Sequence, residues 1–290
     1  MDKNKVIDLN YLSVLEITGK GAPDLLQGQI TCDVNKVNLH NSCLGALCNA
    51  KGRIISSFIL YLIKEESYGL IGPSKTLIKT ETELNKYSPF YQAELKHNKS
   101  LSFYGVEKNT FEDFYKKKIG VDVNTVQINS DKFISYLNKK FILAVIHETD
   151  SSVFNNQFEH YKDSNEWHLD EILSFNVEIS EKDSEKYTPH ELNYDVTKRI
   201  DFDKGCYTGQ EIVARMHYRS KNLPRLNLVE SSDLKIKENM TVNNKENKKV
   251  GNIVKVVNLA KKSLCLISTK DKNLHTPLKV KETNSALRLN

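Results

Sequence analysis

The order of apolar periods is what most constrains this chain. Alternating stretches and short amphipathic stretches follow one another without the regular strand–helix–strand repeat of a doubly wound sheet, and beyond Pro224 helical periodicity ceases. Val14-Leu15-Glu16-Ile17 alternates and breaks at Gly19 and Gly21. Pro23 stands where a helix can begin, so a strand followed by a helix over residues 22–29 is expected. Residues 44–49 and 54–63 are apolar, β-branched and aromatic runs separated by Ala50-Lys51-Gly52-Arg53, the pattern of a hairpin. Ser74 predicts a capped helix ending before Pro89, and further helices are expected over 111–118 and 152–161. Residues 101–106 read as a strand, and 133–137 pairs with 141–147 across Asn138-Lys139-Lys140. These elements define an α+β class.

Beyond Pro224, short strands at 226–229, 251–257 and 264–268 alternate with Asn- and Lys-rich turns, which predicts a small terminal β-barrel. Residues 243–249 form an exposed turn in this reading, and the residues from Thr283 onward fray. A chain of 290 residues is long enough for two domains, expected at 1–221 and 222–290.

One segment carries chemistry. In Lys204-Gly205-Cys206-Tyr207-Thr208-Gly209-Gln210-Glu211, the T-x-x-E spacing predicts a capping box at a helix start, with Ile212, Val213 and Met216 on one apolar face. Cys206 then lies near the positive end of a helix dipole, with Lys204 close in sequence. Both effects favour thiolate, so Cys206 is the candidate reactive residue and Lys204 its candidate partner. The competing reading is a small buried residue in a Gly-flanked turn. Cys48 and Cys265 lie in strand-like runs that suit packed thiols, and Cys32 and Cys43 have no activating partner in sequence. His190 and His217 are the histidines nearest the motif, with satisfied surface or core roles as the simpler reading. The acid-rich run 178–185 reads as a solvated loop.

Several classes are disfavoured. Five cysteines with no C-x-x-C pair give neither a disulfide framework nor a structural zinc site, and no metal site is expected. The N-terminal stretch has no apolar core of signal-peptide length and no long apolar run occurs, so a cytoplasmic location without membrane association is expected. A net charge of +5 is too well mixed along the chain to establish RNA binding by itself.

Three stretches in order resemble the YgfZ-type proteins, the folate-binding, iron–sulfur-related branch of the aminomethyltransferase (T-protein) superfamily. They are Leu25-Leu26-Gln27-Gly28-Gln29-Ile30-Thr31-Cys32-Asp33-Val34, then Asn49-Ala50-Lys51-Gly52-Arg53, then the octapeptide from Lys204 to Glu211; Val250-Gly251-Asn252-Ile253-Val254 suits the family's barrel. The resemblance implies interleaved ferredoxin-like modules around a central channel for tetrahydrofolate or a derivative. It also implies a role in assembling or repairing iron–sulfur client enzymes, including those that modify tRNA, with tRNA itself as a further candidate partner. Cys206 and Lys204 would be the chemically active pair. Asn49, Arg53, Tyr207, Gln210, Glu211 and Arg215 would face the folate, although the two guanidiniums could equally serve surface ion pairs.

The enzyme branch of the superfamily carries paired aspartates where this chain has Ser56 and Ser57, after Gly52-Arg53-Ile54-Ile55. A hydroxyl cannot supply a carboxylate's charge near neutral pH, which favours an accessory binding protein over the alternative, an aminomethyltransferase-like one-carbon transfer enzyme. A third reading is a module that binds RNA or a client protein. Downstream of Trp167, Phe175 stands where relatives carry a glycine able to take positive φ.

Overall fold

The computed structural model describes residues 4–120, 124–137, 139–220 and 222–290. The expected hairpin turn at Asn138 and the residue before the expected boundary, Lys221, lie outside them. Strands β1 (Asn4–Asp8) and β2 (Leu12–Thr18) lead to helix α1 (Ala22–Gln29), and β3 (Cys43–Cys48), β4 (Ile54–Lys64) and β5 (Ser67–Pro73) precede α2 (Ser74–Leu84) and α3 (Ser88–Tyr91). Next come β6 (Glu94–Asn98), β7 (Leu101–Glu107), α4 (Lys108–Tyr115), β8 (Asn124–Ile128), β9 (Asp131–Ser135), β10 (Phe141–His147), α5 (Glu148–Gln157), β11 (Phe158–Tyr161) and α6 (Asn165–Leu173). Helix α7 (Gln210–Arg219) opens onto β12 (Arg225–Ser231), β13 (Thr241–Asn243), β14 (Lys249–Asn258), β15 (Ser263–Thr269), α8 (Asp271–Leu274), β16 (Leu278–Val280) and β17 (Ala286–Leu289).

Among the described residues the strands form two open sheets and a closed barrel. The first sheet runs β11-β1-β7-β10-β9-β8, the second β3-β4-β5-β2-β6, and the barrel β12-β15-β14-β13-β16-β17. The chain enters the first sheet with β1, leaves it for all five strands of the second, and returns with β7, so the two sheets are woven together. Period-2 patterning sorts their side chains. In β10, Leu143 and Val145 pack with Val14, Ile59 and Ile71 of the other sheet, while Ile142, Ala144 and Ile146 pack with Phe111 of α4 and Phe154 of α5. The far face of the second sheet, including Phe58 and Leu60, covers Leu25 and Leu26 of α1 and Leu77 and Leu84 of α2. The result is helices, sheet, sheet, helices. The barrel docks through Leu226, Val254, Val257, Leu264 and Leu266 onto Ala46, Cys48 and Ile54.

Four local expectations are corrected. The helix expected over 152–161 spans Glu148–Gln157, and its tail is instead β11, which pairs in parallel with β1 because Phe158 buries beside Phe154 and Val6. The residues from Thr283 do not fray: β17 pairs with β12 and β16 and closes the barrel. Ser74 does not cap α2, since its hydroxyl donates to Tyr11 O at 2.9 Å and Pro73 occupies the cap. The run 178–185 is not uniformly solvated, because Glu178 and Asp183 are buried. No helix among the described residues is long and apolar enough to cross a membrane.

Candidate functional site

The three stretches singled out by sequence meet around the turn between β3 and β4 and the loop leading into α7. Asn49 builds that turn: its Oδ1 accepts from Lys51 N at 2.9 Å and Arg53 N at 3.0 Å. Gly209 has φ +83°, and a Cβ there would lie 2.4 Å from Asn49 O. Gly52, at φ +66°, lets Ile212 of α7 approach to 3.0 Å of where its Cβ would be. Both glycines are therefore required by close approach as well as by conformation. The first stretch joins through Thr208, whose hydroxyl donates to Gln29 Oε1 at 2.9 Å, and through Thr31, which donates to Arg199 O at 2.6 Å.

That use of Thr208 overturns the expected capping box. Gly209 is the N-cap residue of α7, no side chain caps the helix, and Glu211 is exposed. Lys204 is placed differently from its expected role as well. Its buried ammonium donates to Gln27 O at 2.8 Å and Ile30 O at 2.6 Å, carbonyls at the end of α1 that the helix itself leaves unpaired. It lies 5.2 Å from the centre of the Tyr207 ring, and burial draws its pKa below the usual lysine value. No hydrogen bond among the described residues joins it to Cys206. Cys206 itself is exposed, against the alternative of a packed turn residue.

The other sequence candidates divide by environment. Tyr207 is buried, its hydroxyl has no hydrogen-bond partner among the described residues, and burial raises its pKa. Arg53 donates to Lys186 O at 2.8 Å and pairs with Glu191 at 3.2 Å, the ion-pair role rather than an uncommitted guanidinium. Gln210 N donates to Tyr207 O at 3.1 Å, which tightens the loop into α7. Glu211 and Arg215 lie on the exposed face of α7 and, with Ala214, Tyr218 and Arg219, line a groove of about 320 Å³. Neither Arg215 nor Arg219 forms an ion pair among the described residues.

The hairpin serines are fully buried. Ser56 Oγ lies 2.6 Å from Thr80 Oγ1, and Ser57 Oγ accepts from Ile179 N at 2.9 Å, so no ionisable side chain stands at either position. Phe175 has φ +54°: the backbone keeps the left-handed conformation expected of a glycine, while the ring is half-buried against the core between the second sheet and the barrel.

Sequence reading missed a buried ionic cluster where α6, the β9–β10 connection and the segment after α6 converge. Lys139 pairs with Glu171 at 3.2 Å and stacks its ammonium 3.7 Å from the centre of the Trp167 ring. Tyr11 donates to Glu178 Oε2 at 3.3 Å and accepts from Trp167 Nε1 at 3.2 Å. Arg199, fully buried, donates to Gly45 O, Phe58 O and Asn176 Oδ1, and its Nε has no hydrogen-bond partner among the described residues. Burial, reinforced by Glu171, raises the Glu178 carboxyl above the usual value; burial is also the largest single influence on Glu171 and opposes its charge, but Lys139, His168 and Lys255 together lower that carboxyl. A cavity of about 100 Å³ lined by His168, Glu171, Glu238 and Lys255 opens beside this cluster, between α6 and β14. A lone carboxylate between Val177 and Ile179 was the available signal.

No protein-family model matches the chain. Among curated proteins, it is 30% identical over 230 residues to the tRNA-modifying protein YgfZ of Vibrio atlanticus, covering 78% of this chain and 70% of that protein. It is 26% identical over 307 residues to the tRNA-modifying protein YgfZ of Blochmanniella pennsylvanica, covering 96% of this chain and 90% of that one. Among solved structures, the aminomethyltransferase T of the glycine cleavage system of Bartonella henselae superposes with a TM-score of 0.76 over 99% of this chain and 85% of that one, at 11% identity, which establishes a shared fold. The chain belongs to the YgfZ family and has the fold of the glycine-cleavage aminomethyltransferase.

Proposed function

We propose that this protein is a folate-binding accessory factor that supports the assembly or repair of iron–sulfur enzymes, those that modify tRNA among them, and that it does not itself transfer aminomethyl groups. The observation that carries the proposal is the joining of three distant segments, 27–31, 49–52 and 204–212, into one packed unit that leaves the Cys206 thiol exposed. A unit held so closely around an exposed thiol suits presentation of that thiol to another molecule. The buried, hydroxyl-only Ser56 and Ser57 support the non-transferase reading, since transfer at the folate nitrogen calls for a carboxylate.

The residues present fit a reduced folate. A pterin ring needs a buried acceptor for its N–H groups, which Glu178 would offer in this reading, next to the core aromatics Tyr11, Tyr136 and Trp167. Arg199 Nε and the Tyr207 hydroxyl, without hydrogen-bond partners among the described residues, are further polar groups for a ligand, and the exposed Arg215 and Arg219 suit the carboxylates of the folate tail. When bound, the folate would supply a reduced pterin able to carry a one-carbon unit or to give up electrons. Lys204 acts in this reading as a positioning residue, fixing the end of α1 beneath the Cys206 loop. A single exposed cysteine cannot hold an iron–sulfur cluster alone, so a cluster would be cargo shared with a client or a small thiol.

The test is calorimetric titration with tetrahydrofolate under anaerobic conditions, with the Cys206→Ala variant alongside. Saturable binding to both is expected, the thiol acting after folate is bound. Absence of binding to either would overturn the folate reading and leave a client- or RNA-binding module.

A further inference from the structure

We propose that His190, Asp195 and His217 form a site for a transition-metal dication, with zinc the best match to the donor set. The site is independent of the folate reading. His190 lies in a short 3₁₀ turn (His190–Leu192), Asp195 follows it, and His217 occupies the last turn of α7. Their three donor atoms all lie within 4.8 Å of one another.

The spacing distinguishes a metal site from a hydrogen-bonded trio. Asp195 Oδ2 is 3.7 Å from His190 Nε2 and 3.7 Å from His217 Nδ1, too long for hydrogen bonds. Two donors that each sit about 2.0–2.1 Å from a tetrahedral zinc are separated by roughly 3.4 Å, so a small closure brings the three onto one ion. The second observation is independent of that geometry. His190 is 1% exposed, and among the described residues neither of its ring nitrogens has a hydrogen-bond partner. A buried polar group left in that state is destabilising, and a metal bond would relieve it.

The surroundings suit ligation as well. Arg225 donates to Asp195 Oδ1, which fixes the carboxylate and leaves Oδ2 for the ion, while Phe202 stacks on the His217 ring at 3.9 Å and 20°. Two imidazole nitrogens and one carboxylate oxygen favour zinc, cobalt or nickel over magnesium and calcium, which prefer all-oxygen sets. The His217 side chain is 35% exposed, so water can complete the coordination. An ion held there would tie the last turn of α7 to the segment 190–195, which the Arg225–Asp195 pair joins to the start of β12.

The experiment is titration of metal-stripped, full-length protein carrying Cys206→Ser, to remove the exposed thiol, with Co²⁺ followed by visible absorption and then displaced by Zn²⁺. One equivalent of Co²⁺ is expected, with a nitrogen–oxygen spectrum free of thiolate charge transfer. His217→Ala, at an exposed helix end, should fold normally and weaken Co²⁺ binding by at least about 10-fold, the loss that removing even an outer-shell partner brings. His190→Gln should weaken it likewise. Failure of the parent to take up Co²⁺ saturably, or equal affinity in parent and His217→Ala, would overturn the site.

Discussion

Replacing Gly209 by alanine tests the packing on which the candidate site rests, and Gly205, four residues earlier in the same loop, supplies its control. At Gly209 a new Cβ meets Asn49 O at 2.4 Å and Gly52 Cα at 3.4 Å, both backbone atoms that cannot swing away, and φ is +83°. A left-handed alanine costs about 1–2 kcal/mol and overpacking against a fixed neighbour about 1–3 kcal/mol, while the stiffer unfolded chain returns about 0.4–1 kcal/mol. The net loss centres on about 3 kcal/mol, a drop in melting temperature of roughly 5 °C for a chain of this size. At Gly205 a Cβ meets nothing within 4 Å, so Gly205→Ala should stay within about 0.5 kcal/mol of the parent. Urea unfolding and thermal melting of the three proteins side by side decide the matter. If Gly209→Ala unfolds together with Gly205→Ala and the parent, the loop before α7 does not rest on the Asn49 turn, and the convergence of the three segments is wrong.

Two further outcomes follow from the buried groups. Glu178 is pushed up to about 7 by burial and by Glu171, so the folded protein holds an extra proton between the ordinary glutamate value and about pH 7, and its stability should fall as pH rises through that window. Glu178→Gln, which still accepts from Tyr11, should therefore be more stable than the parent at pH 8 and no more stable at pH 4; urea unfolding at both pH values that shows a pH-independent difference would refute this. Of the five thiols, burial pushes Cys48 and Cys265 up to about 12, Cys43 up to about 11 and Cys32 higher still, whereas Cys206 is exposed. A thiol reagent on native protein at pH 8 should thus titrate one fast equivalent, absent in Cys206→Ala, with the melt of that variant unchanged within about 0.5 kcal/mol; a fast equivalent surviving the substitution would place the reactive thiol elsewhere.

Local patterns in the sequence were good guides wherever the partner was also local. The helix at Ala22–Gln29 follows from Pro23 and two flanking glycines, and the hairpin of β3 and β4 from Ala50-Lys51-Gly52-Arg53 between two apolar runs. The pattern misled where a distant group competed for the same atoms. Thr208 and Glu211 have capping-box spacing, yet Gln29, 179 positions away, takes the threonine hydroxyl. Lys139 sits in what reads as a polar hairpin turn, but Trp167 and Glu171 bury it. The tail of the helix expected over 152–161 became β11 because β1, at the other end of the module, needed an edge partner. At the site, the segments that meet were legible as motifs; which of their side chains would be spent on holding one another, as Lys204 and Asn49 are, was not.

The weaving of the two open sheets sets an order of events during synthesis. All strands of the second sheet lie before Asn98, so it can form while the rest of the chain is still on the ribosome. β1 must wait, because its partners are β7 and, last, β11 at Phe158–Tyr161; until then its edge is open to pairing with other chains. The carbonyls at the end of α1 wait longer still, for the ammonium of Lys204. A nascent chain halted between Tyr161 and Lys204 would therefore carry both sheets and an unfinished thiol loop, with competence arriving only after the scaffold has formed.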